Sequence, residues 1–454
     1  MKEIKVTILG AGSLTFTPFL VKGLMSSDLS EDRRLTVALM DINPEMLDLM
    51  YKVSREIVGA FKGEDKVKVE RHTDRKPALE GTDFIIVTIN VGGVTAAHAD
   101  VEIPLRYGIR HAVGDTVGPA GIMRALRHVP VLLDIATDVE DLAPEAYLFD
   151  YSNPLTPLTR VMARETKAKA YGLCTGIFGF RNGIADFLGV SRGSVELYVG
   201  GINHLYWAIK LNIDGEPLYP KIEEIIRKGG IQIEGEGSVM LNFYKIYGLL
   251  PGPEDRHIVE FFPNLFLTEK AMEKYGIPKA PERTTFDYKA RKPFEELLSG
   301  IASGSKSVAE LLETKGMEEE GIGIIRLMES LALDKPMLYP GINVVNRDCV
   351  GNLPSWSVVE VPAYIDSTGI HPVRVGDLPK AVAGFTTQRI LQYETTIDAA
   401  LAGDRNLALQ ALLIDGYVDE VETAEKLLED MLQGEKHLLP EYWFPNDATK
   451  ASRR

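Results

Sequence analysis

Chemistry in this chain starts with Cys174, in GLCTGIFGF, and His204, in GGINHLYW. Cys174 follows an apolar run, and His204 sits in a turn between two such runs, so both read as loop residues at strand ends. A thiolate and an imidazole from two sheet-edge loops can hold one divalent metal and leave positions open for substrate oxygens. They also read as an inert buried thiol and a hydrogen-bonded turn histidine. Polar residues crowd two further apolar surroundings: Tyr151-Ser152-Asn153-Pro154, and Asn343–Pro362 with its Asn346 and Asn352. Asp115, in DTVGPAG, reads as a helix cap or as a catalytic carboxylate. Tyr247 precedes Glu254-Asp255-Arg256-His257 by a short loop. Asp255 and His257 exchange protons near neutrality when their surroundings shift them, and Arg256 offers a fork suited to a carboxylate. The same cluster also reads as a solvated loop.

These residues need a frame, and the first half of the chain alternates strands with helices. Lys5–Leu9, Leu35–Met40, Phe84–Ile89, Tyr147–Tyr151 and Ala170–Leu173 read as buried strands. Helices are predicted over Phe16–Met25, from Pro44 to about Gly59, and over Gly121–Val139 with a kink at Pro130. That alternation predicts a parallel, doubly wound sheet. Gly10-Ala11-Gly12-Ser13 lies between the first strand and its helix, where glycines let a backbone approach a pyrophosphate facing the helix N-terminus. Thr15 stands where the usual third glycine would be. Asp41, ending the second strand, is the expected partner of the adenosine ribose, and an acidic residue there favours NAD over NADP. A tight turn without a ligand is the plainer reading. Asn90-Val91-Gly92-Gly93 puts small residues along the same sheet edge, with Asn90 as a cofactor contact or a helix cap.

After about residue 195 the texture changes. Glu196–Ile213 predicts two strands around the GGINH turn, and helices follow at Pro293–Leu298, Val308–Leu312 and Ala381–Leu401. The expected division is 1–195, a dinucleotide-binding domain, and 196–454, an α+β domain that binds substrate. A net charge of −15 opposes binding to nucleic acid or anionic membrane. MKEIKVTILGAG does not read as a signal peptide, and no apolar stretch is long enough to span a membrane. With two cysteines in the chain, a reducing cytoplasm is expected, although one disulfide between Cys174 and Cys349 stays open.

With ILGAGS, LMDIN, GDTVGPAGIMRALRHVP, YSNPLTPLT, GLCTGIFG, GINHL and NRDCVGNLPSWSVVEVP in view, the chain resembles the family-four glycoside hydrolases along its length. The resemblance implies a lactate/malate-dehydrogenase-like fold and hydrolysis by a redox route, an exception to the two-carboxylate scheme. NAD oxidises sugar C3, a base takes the C2 proton, the aglycone leaves, water adds, and the hydride returns; a metal, usually Mn2+, serves as Lewis acid. It further implies Cys174 and His204 as metal ligands and Asn153 as a substrate-positioning residue. Gly10, Gly12, Ser13, Asp41 and Asn90 become cofactor contacts. The residue after the cysteine departs from the family pattern: Thr175 cannot serve as a general acid near neutral pH. Leaving-group protonation then falls to Asp115, His257 or a metal-bound water, and the base to Tyr247 or the Asp255–His257 segment.

Cys174-Thr175-Gly176 and the PEDRH segment resemble the α-glucuronidase and α-galacturonidase branch, with Arg256 reading the sugar carboxylate. A neutral α-glucoside or α-galactoside is the neighbouring alternative. A 2-hydroxyacid dehydrogenase and a non-catalytic NAD sensor are the readings from other classes. Relatives imply a homodimer or homotetramer acting on a small sugar or oligosaccharide.

Overall fold

The computed structural model describes residues 3–63, 65–228, 237–314 and 318–444. Their strands, in chain order, are β1 (Glu3–Leu9), β2 (Arg34–Met40), β3 (Val67–His72), β4 (Phe84–Val87), β5 (Tyr147–Asp150), β6 (Lys169–Gly172), β7 (Val195–Ile202), β8 (Leu205–Ile213), β9 (Glu216–Pro217), β10 (Pro251–Gly252), β11 (Met337–Val345), β12 (Val358–Asp366) and β13 (Gly369–Pro372). They form one sheet. Its first half runs β3-β2-β1-β4-β5-β6, all parallel. That is the strand order of a dinucleotide-binding fold. The near-continuous burial of β1, β2 and β4 follows from helices covering both faces.

Beyond β6 the sheet turns antiparallel, through β11, β12, β7, β8 and β10. The join rests on single register pairs, Asn343 with Gly172 and Glu360 with Gly201. The helix Lys380–Ala402 packs on the helix Gly118–Leu142, and Val421–Gly434 packs on Gly93–Leu105. The last third of the chain therefore returns to cover the first.

Three of the elements that differ from the sequence reading lie in the first half of the chain. β3 went unread because VKVERH carries four charged or ionisable side chains and only half buries. The helix Gly93–Leu105 went unread because its apolar residues scatter around its circumference. The Gly118–Leu142 helix starts earlier than expected and runs 25 residues through Pro130. Cys174 and Cys349 are both free thiols. Among the described residues no helix is long and apolar enough to cross a membrane.

Candidate active site

Cys174 lies just beyond β6, and His204 lies in the two-residue turn between β7 and β8. His204 takes a left-handed backbone conformation there (φ 63°), which turns its ring back over the sheet edge. Cys174 Sγ and His204 Nε2 stand 3.4 Å apart. This is the length of a thiol–imidazole hydrogen bond. It also suits a shared ion: metal bonds of about 2.3 Å to sulfur and 2.1 Å to nitrogen place the two atoms roughly 3.1–3.6 Å apart. The other ring nitrogen, Nδ1, meets Thr116 Oγ1 at 2.8 Å, which fixes the ring's orientation. Thr116 Oγ1 also lies 2.7 Å from Asp115 Oδ1, and Asn153 Nδ2 donates to Asp115 Oδ2 at 3.3 Å. The His257 ring stacks against His204 with centroids 4.1 Å apart. Ligand atoms of Asp115, His204 and His257 all lie within 4.8 Å of one another. Cys174 thus meets His204 at one ring nitrogen, and Asp115, His204 and His257 form a group that could hold a divalent cation.

Charge in this corner is uneven. Burial would raise the Asp115 carboxyl, but the charges of His204, His257 and Arg124 outweigh it and hold it down to about 2. Burial, helped by the charge of Glu360, pushes the Cys174 thiol up to about 12. Burial lowers His204. A metal-free Cys174 is therefore a thiol at neutral pH, and a cation must displace its proton to use the sulfur.

A cleft of about 480 Å³ opens along the same edge of the parallel strands, lined by Gly10, Ser13, Asp41, Asn90, Gly92 and Leu438 among others. Gly10 has φ 86°, and a Cβ there would lie 2.8 Å from Thr88 O. Gly12 donates its N–H to Asp41 Oδ2 at 2.7 Å, and a Cβ on it would meet that oxygen. Asp41 Oδ1 accepts from Asn43 N at 2.8 Å, so the carboxylate holds the glycine turn with one face of each oxygen left for a ribose hydroxyl. Asn90 lines the cleft, while Gly92 takes the cap position of the following helix.

The family 4 glycosyl hydrolase model matches residues 5–190, and the model of that family's C-terminal domain matches residues 199–418. The chain belongs to the family 4 glycosyl hydrolases. An α-galacturonidase of Bacillus subtilis is 33% identical over 95% of this chain and 98% of its own length. An α-galacturonidase of Lachnoclostridium phytofermentans is 30% identical over 98% of each. The fold matches a 6-phospho-β-glucosidase structure from Thermotoga maritima, described with manganese, NAD+ and glucose-6-phosphate, at TM-score 0.79. Its identity is 24%, over 96% of this chain and 99% of that one.

In this family 4 glycosyl hydrolase, two residues expected at the site have other tasks. Asp255 accepts from Val239 N and Met240 N at 2.9 and 3.0 Å, so its carboxylate caps the helix Ser238–Tyr247. Tyr247, at the end of that helix, packs its ring against Trp207, Phe243 and Phe385. Arg256 pairs with Glu254 at 2.6 Å and is near enough to bear on His204.

Other residues serve the site without having been read from sequence. Glu260 Oε1 accepts from the backbone N–H groups of Ala112, Val113 and Gly114, each at 2.9 Å, and so fixes the loop that carries Asp115. Arg124 Nε donates to Asn153 O at 2.9 Å. Asn203, beside His204, donates to the buried Glu360 at 3.1 Å. Thr116 was inside a noted segment, yet a threonine carries no chemical signal of its own. Glu260 and Glu360 sit in apolar strings, VEFF and VVEVP, where a lone acidic residue is the available signal.

Proposed function

We propose that this enzyme hydrolyses α-linked galacturonides, using NAD and a divalent metal, manganese by preference. The observation that carries the reading is the meeting of Cys174 with His204, itself grouped with Asp115 and His257, in a molecule whose sheet edge also opens the Gly10–Asp41 cleft. Cys174 and His204 hold the metal, with Thr116 orienting the imidazole. Gly10, Gly12, Ser13, Asp41 and Asn90 hold the dinucleotide. When bound, these groups supply a reversible hydride acceptor for sugar C3 and a Lewis acid for the C2 and C3 oxygens.

The chain's own residues supply the rest. Asn153 is held by Asp115 and presents its amide to a sugar hydroxyl. His257, whose ring stacks on His204 and whose ligand atom lies within 4.8 Å of that of Asp115, exchanges protons with the sugar. Thr175, at the start of the Gly176–Leu188 helix, takes no part in proton transfer. Arg256 flanks His257 and accounts for the preference for a sugar carboxylate, which its guanidinium receives in exchange for Glu254. The α-galacturonidase relatives, alike over their full lengths, support the same substrate class.

The test is turnover of paired nitrophenyl substrates, the α-galacturonide and the α-galactoside, with Mn2+ and NAD supplied. The uronide should be cleaved faster, and Arg256→Leu should lower its kcat/KM at least 10-fold more than that of the neutral glycoside. Equal losses on both would remove the carboxylate reading. No net NADH should accumulate; a steady rise in NADH would make the enzyme a dehydrogenase instead.

A further inference from the structure

The peptide between Asn90 and Gly92 forms one wall of the cleft, and it is gripped at both ends. The N–H of Val91 donates to His128 Nε2 at 3.0 Å, and its carbonyl accepts from Arg127 Nε at 3.0 Å. His128 Nδ1 lies 2.8 Å from the carbonyl of Arg124, so that nitrogen carries the proton and Nε2 is the acceptor. Burial holds His128 well below its usual range, consistent with this neutral tautomer.

The guanidinium of Arg127 reaches further. It donates to both oxygens of Asp100, at 2.7 and 2.6 Å, and to Glu435 Oε2 at 2.8 Å. All three side chains are almost wholly out of solvent. Glu435 follows the helix Val421–Gly434, more than three hundred residues beyond Arg127. Leu438 N then donates to Glu435 O at 2.8 Å, so a single tight turn ties the two residues together. Leu438 is half-buried, lines the dinucleotide cleft, and presses on Gly92: a Cβ on that glycine would lie 2.4 Å from Leu438 Cδ1.

We propose that the turn Glu435–Leu438 is part of the dinucleotide-binding site: Glu435 positions the Val91–Gly92 peptide through Arg127, and Leu438 supplies an apolar wall that the cofactor contacts. The inference rests on the NAD reading above. It places a binding determinant in the last helical stretch of the chain, far in sequence from the glycine turn. Two carboxylates share one guanidinium here, and burial together with the charge of Asp100 pushes Glu435 above the ordinary carboxylate range. A neutral carboxyl or amide at that position still offers Arg127 an acceptor oxygen. Glutamine should therefore replace Glu435 without loss, while alanine should not.

The experiment is calorimetric titration of nucleotide-stripped, full-length enzyme with NAD, and separately with Mn2+. Leu438→Ala should weaken NAD binding 3- to 30-fold, and Glu435→Ala at least 10-fold. Glu435→Gln should stay within 3-fold of the parent, and all three should bind Mn2+ as the parent does. Parental NAD affinity in both alanine variants would overturn the proposal. So would parallel losses of NAD and Mn2+ affinity, which mark a general structural defect. Should Glu435→Ala fail to fold, Leu438→Ala, at a half-exposed side chain, decides alone. A parent enzyme that binds no NAD contradicts the functional reading itself, an outcome separate from variants that bind as well as the parent.

Discussion

At Cys174 and His204 the chemistry was legible because each is an odd residue in an apolar setting, and a cation is what a thiol and an imidazole share. Cys174→Ser and His204→Ala should each weaken Mn2+ binding at least 100-fold while NAD binding and the melting temperature hold; undiminished Mn2+ titration in Cys174→Ser would move the metal to Asp115, His204 and His257, and in His204→Ala it would remove His204 as a ligand. The helix-capping contacts of Asp255 were not legible for a physical reason. An acidic residue beside a histidine looks the same whether it faces substrate or caps a helix fifteen residues earlier in the chain, and only the backbone geometry separates the two. The packing of Tyr247 went unread likewise, because its aromatic neighbours Trp207 and Phe385 are distant in sequence.

Loops between elements carry the site, and their supports are single buried acids. Glu260 gathers three N–H groups ahead of Asp115. Glu260→Ala leaves them without that acceptor at about 1–3 kcal/mol each, so a fall of several degrees in melting temperature and a larger loss in kcat than in NAD affinity are expected. An unchanged kcat would show that the Asp115 loop needs no such anchor. Asp150, ending β5, accepts from Ser152 N at 2.8 Å, and burial raises its carboxyl to about 7. In the folded state it thus lies above the ordinary aspartate value of 3.8. The protonated form is therefore the one the fold favours. Its contribution is intact below about 4 and is lost as the pH rises through about 7. Asp150→Asn should melt at the same temperature as the parent near pH 4 and higher above pH 7, by up to roughly 4 kcal/mol at about 1.4 kcal/mol per pKa unit. A variant that melts lower across this range would mean Asp150 is ionised and partnered. Strand–helix alternation made the parallel half readable, since buried strands and amphipathic helices leave periodic traces. The registers that join β6 to β11 and β12 to β7 left none, because they depend on Gly172 meeting Asn343 and Gly201 meeting Glu360 across long sequence separations.

Over the whole molecule, one continuous sheet brings a dinucleotide cleft and a donor cluster to a common edge. Leu438, from the returning C-terminal stretch, lines that cleft. This arrangement lets a hydrolase borrow redox chemistry, and it separates this enzyme from glycosidases that use two carboxylates alone. The difference leaves a mark on the product. The most direct measurement is hydrolysis of an α-galacturonide in heavy water with NAD and Mn2+, followed by proton NMR of the released sugar. The account expects deuterium at C2 of the product, and no turnover from nucleotide-stripped enzyme until NAD is restored. Full turnover without nucleotide, giving a product that keeps its original hydrogen at C2, would contradict it.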